Sequence, residues 1–364
     1  MNRSQWLLLF GALAALGQLI CQNAAQGEDV ADPLAATAPS YLFAATAAPA
    51  RNEADVACDA ASDGTCACRH FIVNAEAVWL APLNNQRVAE VGIVDGAGNT
   101  LSYYSADAAQ QGLSISPRIT LGLQGECWGV QTRYWRMQDT ASINAISNAD
   151  ATGFVANSSF QAETVDLEVT RLLCRGNNQL QFSAGVRYAQ LEQSAGLSAF
   201  ETLNGGYYSS VALASHAFHG TGLTAALSGV RPVGSGCFNL FYSFRTSLLW
   251  DAAGGNEVQT RATFRGPFAN SEAFNAATAQ DAATLFIGEV QAGGQWNIPL
   301  KCSPANAFVR LAFEYQYWDT TQTGEAQAFS YADGLHGPWG VAVAQSSDAH
   351  VNLVGFNIGT GLTW

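Results

Sequence analysis

From residue 70 to the end, the chain alternates with a period of two. Leu180, Phe182, Ala184, Val186 and Tyr188 are apolar or aromatic, and Gln181, Ser183, Gly185 and Arg187 lie between them. Successive side chains of a strand point to opposite faces, so this period writes strands with one apolar and one polar face. It recurs at Trp128, Val130, Thr132 and Tyr134, at Val309, Leu311, Phe313 and Tyr315, and at Phe238, Leu240, Tyr242 and Phe244, where Phe241 is out of phase. Ten segments carry it: 70–82, 114–125, 127–138, 161–173, 179–193, 218–231, 237–251, 283–299, 307–319 and 349–364. Each supplies the roughly 9–11 residues that a tilted strand needs to cross a bilayer.

The connections sort strictly by length. Those at 125–127, 174–178, 232–237 and 301–306 are short, whereas those at 83–113, 139–160, 194–217, 252–282 and 320–348 are long. A soluble sandwich has no reason to alternate its loops, but an outer-membrane barrel does, with short periplasmic turns and long outer loops. The expected fold is all-β: a transmembrane antiparallel up-and-down β-barrel of about 10 strands. Closure is required because no peptide group in hydrocarbon finds water, which rules out an open sheet edge. An even strand number leaves both termini in the periplasm. Residues 88–105 carry Asp95, Gly96, Ala97 and Gly98 at their middle. They read as a hairpin above the membrane, or as two more spans, which would give 12 strands. Trp79, Trp135, Tyr188, Trp250, Tyr317 and Trp318 fall at strand ends and are the expected interfacial girdles.

Composition agrees. Charged residues are 12% of the 364, against about 25% in a soluble domain. The net charge of −13 argues against a nucleic-acid partner, and 48% hydrophobic residues argue against disorder. One long apolar run exists, at residues 6–20 behind Arg3, and with Ala25 and Gly27 it reads as a signal peptide over 1–27. Cys21 raises a lipoprotein alternative, which bulky Ile20 disfavours. Residues 28–69 are rich in Ala and Pro, carry seven acids against Arg51 and Arg69, and are expected to be a flexible periplasmic lead-in. The barrel is expected over 70–364, in the outer membrane and in contact with its lipid. At its end, Phe356, Ile358, Leu362 and Trp364 are similar to the terminal signature that the barrel assembly machinery reads.

Several segments carry a family likeness: FIVNAEAVWLAP at 71–82, GVQTRYWRM at 129–137, FSAGVRYAQLE at 182–192, FVRLAFEYQYW at 308–318 and the closing GFNIGTGLTW. The region from 70 onward resembles the Legionella-type major outer-membrane protein family. That resemblance implies an outer-membrane location and a pore-forming, porin-like role, and it brings no catalytic residues.

Parity places ten charged residues in the lumen. Arg118, Arg133, Arg187, Arg245 and Arg310 face Glu76, Asp166, Glu168, Glu289 and Glu314, so the lumen is neutral. These groups either line a narrow aqueous eyelet or pair into a plug. Barrels of eight strands are filled by side chains and open channels appear at about 16–18, so ten strands lie nearer the filled end. Small neighbours at Gly122, Gly129, Gly185, Gly293 and Ala312 would widen the bore. The expected function is passive diffusion of small solutes or ions, the alternative a closed anchoring barrel. A hydrolase at Ser215, His216 and His219 is remote, because no nucleophile, base and orienter can be read. No cofactor or structural metal is expected. The outer loops and rim carry −12, which would hold divalent cations loosely and favour cation entry. Cys127, Cys174, Cys237 and Cys302 each fall at a short turn. Adjacent turns are too far apart for a bridge, which leaves pairing with Cys58, Cys66 or Cys68, or self-association through another barrel.

Overall fold

The computed structural model describes residues 70–363, apart from 84–87, 96, 110, 126, 148–151, 176–177, 204, 235–236, 252–253, 268–269, 281, 301–304, 322–324, 334–338 and 347–349. The expected signal peptide and lead-in, Cys58, Cys66, Cys68, Cys302 and Trp364 lie outside the described residues. The strands are β1 (His70–Pro82), β2 (Val88–Val94), β3 (Thr100–Ser105), β4 (Ser114–Gln124), β5 (Trp128–Ser147), β6 (Thr152–Arg175), β7 (Asn178–Leu203) and β8 (Gly206–Pro232). They continue with β9 (Phe238–Asp251), β10 (Gly255–Arg265), β11 (Asn270–Gln280), β12 (Ala283–Pro299), β13 (Asn306–Thr321), β14 (Ala326–Asp333), β15 (Trp339–Ser346) and β16 (His350–Thr363).

Ten of these close a transmembrane antiparallel barrel in the order β8-β7-β6-β5-β4-β1-β16-β13-β12-β9, and β9 returns to β8 through Thr221–Trp250 to Pro232–Asn239. The barrel strands coincide with the ten periodic segments. The 12-strand alternative is not realised: β2 and β3 form a hairpin in a separate four-stranded sheet, β14-β15-β2-β3.

Burial is inverted relative to a soluble protein. Asp166, Glu314, Arg118 and Arg187 are at most 1% exposed, while Leu167 and Leu223 on the outer wall are 56% and 62% exposed. The wall reads as registered rows across β5–β9. Thr132, Leu167, Val186, Leu223 and Leu248 form one row, and Tyr134, Val165, Tyr188, Thr221 and Trp250 the next. Above the aromatics come Arg136 and Glu163, paired at 3.7 Å, where hydrocarbon gives way to water. Two girdle expectations are corrected. Trp135 and Trp318 are 1% and 0% exposed and pack against each other in the lumen, ring centroids 6.0 Å apart. Their parity puts them on the same face as Arg133 and Glu314, so position at a strand end did not decide their direction.

All five long loops contain strand. The hairpins β5–β6 and β7–β8 run far past the girdle, β10 pairs onto the upper half of β8, and β11 pairs onto β10. This gives a six-stranded extension that packs face to face on the four-stranded sheet. Their shared core is built mostly of alanine, including Ala156, Ala195, Ala212, Ala214, Ala342 and Ala344, which lets two sheets approach closely. The strand signal there is weak because Ala, Ser and Thr alternate with little contrast in hydropathy.

The lumen as candidate functional site

All ten charged residues expected in the lumen point into it and form an ion network. Arg187 donates from Nε to Asp166 Oδ1 at 2.6 Å, from Nη2 to Asp166 Oδ2 at 2.8 Å, and from Nη1 to Glu289 Oε1 at 2.7 Å. Glu289 also accepts from Arg133 Nη2 at 2.8 Å. Arg245 contacts Asp166 at 3.3 Å and pairs with Glu168, whose other oxygen accepts from Gln131 Nε2 at 2.7 Å. On the opposite wall, Arg118 donates to Glu76 at 2.8 Å and clasps both oxygens of Glu314. Glu314 is completed by Gln291, Gln316 and Asn357 at 2.9, 2.6 and 2.7 Å. The planar guanidinium supports such forked pairs where an ammonium does not.

The backbone register builds the network. Asp166 stands opposite Arg133 on β5 and Arg187 on β7, Glu76 opposite Arg118, and Glu289 opposite Arg245. The small residues do not widen the bore. At Gly185 an added Cβ would lie 2.0 Å from the Leu167 carbonyl oxygen, and at Gly359 it would lie 2.8 Å from Glu76 Cγ. Glycine there admits a neighbouring strand or a lumen carboxylate instead.

The sequence reading missed two features. Towards the long loops, nine of the ten barrel strands carry apolar inward residues. Leu80, Met137, Phe160, Leu191, Phe218 and Leu249, with Leu285, Ile287, Trp318 and Leu353, form a cluster spanning the bore, all at most 2% exposed. A continuous water path would wet these side chains. Towards the short turns, Phe241 turns inward and takes the Arg310 guanidinium 3.6 Å from its ring centroid. Its break in the period was the signal for this contact. Arg310 also donates to Gln295 and lies 3.7 Å from Glu76.

Ser215, His216 and His219 are not brought together. His216 is buried and meets Asn256 Oδ1 at 2.9 Å, whereas His219 lies on the opposite face beside Glu192 at 3.4 Å. Cys127 and Cys237 are free thiols at the short-turn end, where their carbonyls accept from Leu172 and Asn297 at 2.9 Å each. The backbone places Cys174 at the same end. Phe356, Ile358 and Leu362 line the outer wall of β16, and Phe356 stacks on Trp79 at 5.1 Å. Among the described residues no group of His, Cys, Asp and Glu is arranged to hold a metal ion.

Fold and site together define a transmembrane ten-stranded barrel whose lumen is occupied by its own side chains. No family model matches the chain, and no curated protein matches it. Solved structures with some likeness include the outer membrane protease OmpT from Escherichia coli, at 13% identity and TM-score 0.36, covering 81% of this chain and 97% of that one. The Pseudomonas putida toluene transporter TodX gives 8% identity and TM-score 0.23, with 81% and 89% covered. A Pseudomonas aeruginosa FadL homologue gives 8% and 0.20, with 81% and 90% covered. Likeness at this level says nothing about activity.

Proposed function

We propose that this chain is an outer-membrane barrel that holds its lumen shut at rest and displays its two-sheet extension outside the cell. The short turns and both termini then lie in the periplasm. The observation that carries this reading is the stacking of two complete layers, an ion network and an apolar septum, across one ten-stranded bore. Purified protein in planar bilayers should give no discrete conductance steps while remaining folded; steady stepwise conductance would overturn it.

A second reading keeps the small-solute pore that the Legionella-type resemblance implies, as a gated one. It is favoured by the polar lower lumen, since apolar side chains of similar volume fill a bore with no cost of desolvating charge. Opening then requires the septum and the Arg118–Glu314 clasp to part. The acidic outer face would favour cations, so a reversal potential showing anion preference counts against this version. That face would also hold divalent cations loosely.

A further inference from the structure

The outer face of the six-stranded extension carries a groove that neither the lumen nor the lipid contact uses. Its volume is about 530 Å³, within the range of small-ligand sites. Register sets its floor. Thr140, Ser159, Ser194, Ser215 and Glu257 stand in one row across β5, β6, β7, β8 and β10, each directly opposite the next. Neighbouring strands are about 4.8 Å apart, so the row offers a hydroxyl at each of four steps and ends on the Glu257 carboxylate. Beside it run Asn157, Gly196 and Gln259. An added Cβ on Gly196 would lie 2.2 Å from Asn157 Oδ1, so the glycine leaves room for the amide that walls the groove.

The lining specifies a class of ligand. Each hydroxyl both donates and accepts, and the two amides add paired donors and acceptors. Ser159 and Ser194 already share a 2.7 Å bond, and Gln259 turns its amide on Glu257 at 2.8 Å. Among the described residues no cation lines the groove, and Glu257 repels phosphate or sulfate. Leu213 gives the floor an apolar share that suits the C–H face of a sugar ring. The row lies six residues beyond Tyr134, about 20 Å along the strand, so its occupant stands clear of lipid headgroups. We propose that this groove binds a neutral oligosaccharide chain, aligned across the strands with its hydroxyls on the serine row.

The test uses the full chain in phosphatidylcholine nanodiscs, which carry no lipid-linked sugar. Maltohexaose and cellohexaose are the neutral probes, and a sulfated hexasaccharide is the anionic one, read by isothermal titration calorimetry. The expected result is saturable binding of at least one neutral probe and none of the sulfated one. Ser194→Trp fills the groove from an outward position and should weaken binding at least tenfold, while heat-modifiable mobility on gels shows that the barrel is intact. Glu257→Gln should admit the sulfated probe. Absence of binding by both neutral probes, equal binding of the sulfated one to the wild type, or unchanged affinity in folded Ser194→Trp would each overturn the proposal.

Discussion

Arg187 and Asp166 face each other across the β6–β7 ladder and join through two parallel hydrogen bonds of 2.6 and 2.8 Å, both side chains fully buried. Removing the guanidinium takes three hydrogen bonds from two buried carboxylates, Asp166 and Glu289, and leaves them to Arg133 and Arg245 alone. Arg187→Met should therefore lower stability by about 3–5 kcal/mol. Arg187→Lys keeps the charge and loses the fork, so it should fall between. Urea unfolding of the detergent-solubilised protein measures both; a Met variant as stable as the wild type would contradict the network's structural role.

The septum predicts a separation of stability from conductance. Trp318 is fully buried against Trp135, so Trp318→Ala should cost about 3–5 kcal/mol through the cavity it leaves. The ion network beneath it stays in place, and the variant should remain silent in planar bilayers. Conductance from this single change would identify the septum as the only barrier.

The cysteines report orientation. Cys127 is exposed and Cys237 half-buried, both at the short-turn end. A membrane-impermeant maleimide should leave both unlabelled on intact cells. After the outer membrane is opened it should label Cys127 faster than Cys237. Labelling of either on intact cells would reverse the proposed orientation.

The alanine-rich core between the two sheets should be sensitive to volume. Ala342 is fully buried between the sheets. Ala342→Leu should overpack the interface by about 1–3 kcal/mol and expose β14 and β15 to protease, with the membrane-embedded ring unaffected. Protease resistance equal to the wild type would mean that the sheets tolerate a wider spacing.

The ten spans were legible because a lipid-facing wall and a polar lumen force strong contrast onto every second residue. The same contrast gave the direction of all ten lumen charges, from Glu76 to Glu314. It failed where contrast fades: in the alanine and serine strands of β5–β8 beyond the girdle, and in β10, β11, β14 and β15. Trp135 and Trp318 were misplaced because an aromatic at a strand end is favoured both at a membrane interface and inside a bore, and only the pleat separates the two.

The sequence by itself determined the ten periodic spans, the inward direction of the ten lumen charges and the neutrality of the lumen, because all three follow from the local two-residue alternation. Whether the lumen is open was decided by tertiary structure alone. Arg118 lies 196 positions from Glu314, and Arg133 lies 156 from Glu289. The septum likewise exists only where nine of the ten barrel strands bring apolar side chains to the same height. Register and closure set those heights, and neither is written in the period of any single strand.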